Sequence, residues 1–196
     1  MIAEARIVFL KDRLTRYNDQ AAYKELFTAF YPRLMPLAVS IIKSRQSAEE
    51  IVSDVFINIW QKRSRLEHIS NLKLYLYTAT RNTALNYRER ENPAQTIDLA
   101  ELPVELGMLP MNPEGLLITA EMKKMIREAV NQLPNRCRLI FKLVKEDELK
   151  YREVAELLKI SVKTVEAQMT IALRRIGEAV RFDQQRSIPP PLKNKF

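Results

Sequence analysis

Residues 151–176 read YREVAELLKISVKTVEAQMTIALRRI and carry two apolar stripes at helical spacing with a short gap between them. Val154, Ala155 and Leu158 form the first; Val165, Met169, Ala172 and Ile176 form the second, with Ile160 in the gap. Two amphipathic helices so close in sequence must pack on one another, and the small Ala155 suits the crossing point. Ser161 is placed to cap the second helix through its hydroxyl. The residues left outward, Lys163, Thr164, Glu166, Ala167, Thr170 and Arg174, mix hydrogen-bonding and small side chains, as a helix that enters a DNA major groove requires. One rule is broken. Lys159 stands where such a turn prefers Gly, and a left-handed non-Gly residue costs roughly 1 kcal/mol.

Composition supports helix almost throughout, with three glycines in 196 residues and 46% hydrophobic content, enough for one large or two small cores. A formal charge of +8 points to polyanionic partners. No membrane insertion is expected, because the best apolar run, LMPLAVSII from Leu34, is short and contains Pro36 and Ser40. The N-terminal residues do not form a signal peptide, and a reducing cytoplasm fits a single cysteine, Cys137. His68, the one histidine, cannot build a zinc site alone. With no phosphate loop, metal cluster or base-paired nucleophile, the expectation is a non-enzyme with no cofactor, no metal and no catalytic residue.

Charge is organised by segment. Residues 1–92 hold 15 Lys/Arg against 10 Asp/Glu, and residues 119–182 hold 14 against 9, so each balances at +5. Residues 93–118 between them have no Lys or Arg but contain Asp98, Glu101, Glu105 and Glu114, with four prolines and two glycines. This composition reads as an acidic linker. Residues 183–196 form a Pro-rich tail around Pro189, Pro190 and Pro191, expected to be extended. The fold class that follows is all-α: an N-terminal helical bundle and a C-terminal helix-turn-helix domain joined by the linker.

In the first half, Ser47 with Glu50 reads as a capping box, followed by the apolar face of Ile51, Val52, Val55, Phe56 and Ile59. The opposite face shows Glu50, Ser53, Asp54, Asn58 and Gln61, which is either a solvated surface or a meeting place for a basic protein. The segment NLKLYLYTATRNTALNYRER, residues 71–90, interleaves Tyr75, Tyr77, Arg81, Asn82, Asn86, Tyr87, Arg88 and Arg90. Rings stack on bases, amides read base edges and guanidinium groups hold phosphates, so this pattern suits single-stranded DNA. Tyr77 is expected to be buried and Tyr75 at least partly available. Upstream, Leu26, Phe27, Phe30, Tyr31, Leu34, Leu37 and Ile41 supply two more apolar turns.

Together these motifs resemble the extracytoplasmic-function group of sigma factors, promoter-specificity subunits of bacterial RNA polymerase in the sigma-70 family. AEEIVSDVFINIW resembles the helix that docks on the polymerase clamp coiled coil, LYLYTATRNTALNYRER the helix that opens and reads the minus-10 element, and LPNRCRLIFKLV with residues 151–176 the minus-35 domain. The resemblance covers roughly residues 15–180. It implies core binding, at the clamp coiled coil and flap, with Glu50, Ser53, Asp54 and Asn58 on the docking face. Asn82, with the loop 66–71 that begins at Leu66, matches the pocket for a flipped non-template base. Tyr75 takes the place of an aromatic wedge often filled by Trp, and Asn86, Arg88 and Arg90 continue the single-strand site. Lys163, Thr164, Glu166, Ala167 and Thr170 would read the minus-35 duplex, with Arg174 and Arg175 on phosphates. Many members of the group are held inactive by an anti-sigma protein, so such a partner is expected alongside core polymerase and promoter DNA. DELKY, from Asp147, lacks the Gly common before the first helix of the reading pair.

Two other readings fit parts of the pattern. A free-standing helix-turn-helix regulator would bind duplex alone, usually as a dimer on a two-fold site. An all-helical adaptor would bind protein with little salt dependence.

Overall fold

The chain enters its fold through α1 (Glu4–Tyr17), whose Ile7, Leu10 and Leu14 face inward at helical spacing. The computed structural model describes residues 2–91 and 120–186. α1 ends at the left-handed Asn18, and Asp19 then caps α2 (Gln20–Ile42), accepting from the N–H groups of Ala21 at 2.8 Å and Ala22 at 3.2 Å. The Ala22 amide, then the Arg13 guanidinium, hold the Asp19 carboxyl below the usual carboxylate range.

α2 corrects one expectation. It is a single helix through Pro32 and Pro36, and by length and composition it is apolar enough to cross a membrane. Each proline removes one backbone hydrogen bond. The stripe Leu26, Phe30, Leu34, Leu37 and Ile41 is nevertheless buried continuously on both sides of them, and that packing keeps the helix intact. Its neighbours are α1, α3 (Arg45–Gln61) and α4 (Leu72–Glu91). Phe27 meets Phe56 of α3 edge-on at 4.9 Å, and Tyr23 meets Trp60 at 5.1 Å.

α3 also begins earlier than the Ser47–Glu50 reading placed it. Ser44 is the cap, its hydroxyl accepting from the Ser47 N–H at 3.3 Å. Ala48 is wholly buried, so a helix starting at Ser47 would have left its first core residue without a turn beneath it.

The second lobe comprises α5 (Ala120–Asn131), α6 (Asn135–Lys145), α7 (Tyr151–Leu158) and α8 (Val162–Arg186). Cys137 is buried there, its thiol donating to the Gln168 carbonyl at 3.2 Å. α8 continues past the expected boundary at 182. The acidic linker and the prolines of the tail lie outside the described residues. Among the described residues the architecture is all-α in two lobes, as the sequence predicts.

The lobes touch through α4 and α7. Beside that contact lies a buried polar cluster. Lys142 Nζ donates to Asp147 Oδ2 at 2.7 Å, and Glu146 Oε2 is 3.9 Å away, with all three residues at most 5% exposed. Tyr77 and Arg33, from the first lobe, face these carboxylates.

Candidate nucleic-acid interface

α4 sorts its side chains cleanly. Leu72, Leu76, Tyr77, Thr80, Arg81 and Ala84 point inward, and Tyr77 is completely buried. Tyr75, Asn82 and Asn86 lie outward on one stripe at i, i+7 and i+11, which places Tyr75 about 10 Å along the axis from Asn82. Tyr75 is 37% exposed, so its ring is available from one side. Asn82 is exposed, its side-chain oxygen accepting a long bond of 3.3 Å from Arg81.

The other residues proposed for single-stranded DNA are dispersed. Arg90 is exposed at the end of α4, but Arg88 is half-buried and donates to the Ile41 carbonyl at 3.2 Å, which ties α4 to the end of α2. Leu66 is 2% exposed. It holds the loop from inside, and the polar surface of residues 66–71 is what faces outward. The signal for this was present in the sequence, since Leu66 is the only apolar residue in RSRLEH, residues 63–68.

That loop is built to stay in place. Its first three residues complete a 3₁₀ turn (Arg63–His68); Arg63 lies over the Trp60 ring at 4.7 Å and donates to the Asn18 side chain. Lys11 of α1 donates to the Ile69 carbonyl at 2.8 Å. Asn71 closes the loop, its Oδ1 accepting from the Leu74 N–H at 2.9 Å at the start of α4. Its other side-chain atom, Nδ2, donates to Glu153 Oε1 of α7 at 2.6 Å. This contact was invisible in the sequence.

In the second lobe the helix pair forms as expected. Val154, Ala155, Leu158, Val165, Met169 and Ala172 are buried between α7 and α8. Ser161 accepts from the Thr164 N–H at 3.0 Å, and the two hydroxyls are 2.8 Å apart. Glu153 caps α7, accepting from the Lys150 N–H at 2.7 Å. Lys159 is left-handed with φ 53°, and Glu148, within DELKY, has φ 55°. Both sites at which a Gly was expected therefore do adopt the glycine conformation. Lys163, Glu166, Ala167, Thr170, Arg174 and Arg175 are exposed on α8, with Thr164 half-buried. Arg174 is 3.9 Å from Glu178, an exposed pair easily exchanged for a phosphate.

On α3, Glu50, Asp54 and Asn58 are exposed and Ser53 is half-buried. Ser53 and Asn58 spend their donors on the carbonyls of Glu49 and Asp54 one turn back. Between Asp54 and Asn58 the structure exposes Ile57, at 49%, which sequence reasoning passed over. Its position on the polar side of the helix, out of register with Ile51, Val55 and Ile59, was the available signal. Among the described residues no cluster of His, Cys, Asp and Glu could hold a metal.

The chain is similar to known proteins along both lobes. Residues 26–93 match the family pattern described as Sigma-70 region 2, and residues 123–176 that described as Sigma-70, region 4. The ECF RNA polymerase sigma-E factor of Escherichia coli is 25% identical over 171 residues, covering 84% of this chain and 89% of that protein. The RNA polymerase sigma-H factor of Pseudomonas aeruginosa is 22% identical over 188 residues, covering 92% and 97%. Among solved structures, the sigma factor RpoE in complex with the anti-sigma factor NepR from Bartonella quintana is 24% identical, covering 82% of this chain and 98% of that one, with a TM-score of 0.47.

Proposed function

The chain belongs to the sigma-70 family, as an RNA polymerase sigma factor of the extracytoplasmic-function kind, and from that premise we propose how its two lobes divide the work. A sigma factor binds core polymerase and promoter DNA and is itself a non-enzymatic initiation factor. We take this chain to act in the cytoplasm, with no catalysis of its own, and an anti-sigma protein to be among its partners.

Residues 1–92 are assigned to core binding and the minus-10 element, and residues 119–182 to the minus-35 element. Residues 93–118 are assigned to the acidic connector between them, and residues 183–196 to the tail. The observation that carries the assignment is the outward stripe of Tyr75, Asn82 and Asn86 on the helix that the braced 66–71 loop leads into. A ring and two amides on a helix that follows a fixed loop suit bases turned out of a melted duplex. Tyr75 wedges and stacks, Asn82 reads a base edge, Asn86 follows the strand, and Arg88 and Arg90 supply positive charge along it. In the second lobe, Lys163, Thr164, Glu166, Ala167 and Thr170 read the duplex, while Arg174 and Arg175 hold phosphates. The polymerase-facing surface is Glu50, Ser53, Asp54 and Asn58, and Ile57 joins it as an apolar anchor. A free-standing regulator needs neither a polymerase-docking surface nor a single-strand stripe.

The test is transcription with purified cognate core polymerase and a promoter library, reading which sequences start. Promoter-dependent initiation is expected only when the chain is added. No initiation with core, together with a specific duplex shift by the chain alone, would sink the assignment.

A further inference from the structure

Arg81 is a buried cation beside an exposed amide. It shares the inward face of α4 with Tyr77, one turn before it, and Ala84, one turn after, and is 7% exposed. Among the described residues no carboxylate pairs with it and its Nε has no hydrogen-bond partner, and burial pushes the guanidinium below its usual value. Its Nη1 donates to Asn82 Oδ1 at 3.3 Å. That contact fixes which end of the Asn82 amide is left for DNA. Turned over, the amide would set its own N–H groups against those of the guanidinium, beside a positive charge. With Oδ1 engaged, Nδ2 remains as a donor of two hydrogens, and no other bond among the described residues claims it. An unengaged asparagine pairs with adenine through both ends, accepting from N6 and donating to N7. An amide whose oxygen is held cannot make that pair. What it offers suits an acceptor edge, such as the keto oxygens of thymine, cytosine and guanine. Adenine has no keto oxygen, and its N6 amino group flanks both N1 and N7.

We propose that Arg81 is a positioning residue that sets base specificity: it holds the Asn82 oxygen, so that the single-strand site takes a flipped base by a keto edge and discriminates against adenine. The idea rests on assigning Asn82 to a flipped base. Arg81 touches no DNA in this scheme and acts only through the amide that it orients.

The test uses the full chain with cognate core polymerase and a fluorescent single-stranded oligonucleotide carrying the minus-10 sequence recovered from the promoter library. Each base in turn is replaced by adenine and by hypoxanthine, a purine of the same shape with a keto oxygen in place of the amino group, which holds size and stacking nearly constant. At one position hypoxanthine should bind at least about fivefold more tightly than adenine, the lower end of what a good base contact gives. Arg81→Met keeps a long stem for the core but cannot donate, and should bring that ratio to about one, because the freed amide can serve either base. Asn82→Asp keeps the acceptor that Arg81 holds and removes the donor, so adenine should then bind more tightly than hypoxanthine. Adenine equal to or better than hypoxanthine at every position in the parent overturns the proposal. So does a folded Arg81→Met chain with the parent's ratio, or an Asn82→Asp chain that still favours hypoxanthine. The parent and Asn82→Asp ratios do not depend on Arg81→Met folding and decide by themselves which end of the amide faces the base. Failure of the underlying site reading shows differently, since Asn82→Ala would then leave every oligonucleotide's binding unchanged. An Asn82→Ala chain that binds more weakly, beside a parent with no keto preference, removes the Arg81 proposal alone.

Discussion

Asn71 and Glu153, 82 residues apart, each cap a helix of a different lobe and are joined to each other by a 2.6 Å hydrogen bond. The start of α4 and the start of α7 are therefore fixed together. A movement of the second lobe reaches the 66–71 loop through the Asn71 amide.

Asn82→Ala removes an exposed amide whose contact with the buried Arg81 is a long 3.3 Å hydrogen bond. Its stability should stay within about 0.5 kcal/mol of the parent. Open-complex formation on a minus-10 promoter should fall by about tenfold, in keeping with the roughly 1–3 kcal/mol carried by one good base contact. Permanganate footprinting beside a core-binding assay separates the two effects; loss of core binding would show that α4 has been misassigned.

Ile57→Glu should leave the fold unchanged, since the side chain is 49% exposed and Glu is a good helix former. Affinity for core polymerase should drop by tenfold or more if Ile57 is an anchor, because a central apolar contact is worth on the order of 2 kcal/mol. Fluorescence titration of labelled chain against core reads this directly, and an unchanged affinity removes Ile57 from the interface.

Among the described residues, glycine and left-handed backbone do not coincide. Lys159 and Glu148 sit in the left-handed region, while Gly177 lies inside α8 with open space around its Cα. Lys159→Gly and Glu148→Gly should each stabilise by up to about 1 kcal/mol, and Gly177→Ala by roughly 0.5–1 kcal/mol. Thermal unfolding measures all three; a lower melting temperature for Lys159→Gly would mean that its side chain makes a contact worth more than the strain.

Burial pushes the Glu146 carboxyl up to about 7, against the partial relief given by Lys142, while the neighbouring Asp147 raises it further. One buried ammonium cannot neutralise two carboxylates. A carboxyl raised in the folded state binds a proton there that the unfolded chain has already released, so its contribution to stability falls as pH rises from about 4.5 to 7 and is flat above. Glu146→Gln should remove that slope and gain on the order of 1–3 kcal/mol relative to the parent at pH 8. Urea unfolding of both proteins at pH 5, 6, 7 and 8 gives the difference; parallel curves would contradict it.

The helical class, the two lobes, the buried faces of α3, α4, α7 and α8, and the outward stripes on α4 and α8 were legible in the chain because each rests on local spacing. Tyr77 inside and Tyr75 outside followed from periodicity alone. Local rules misjudged positions where two solutions compete within a few residues. Ser44 and Ser47 offer the same cap, and only the burial of Ala48 chooses between them. Pro36, which limited the apolar run read from Leu34, lies with Pro32 inside one helix because the stripe around them is buried in one piece. Leu66 was read as a contact and is a support. What the tertiary structure alone decided is the meeting of the lobes: Asn71 with Glu153, and Tyr77 with Asp147. Periodicity is set by the geometry of one helix, whereas these pairs depend on how two bundles are placed in space, and no pattern within either bundle carries that information.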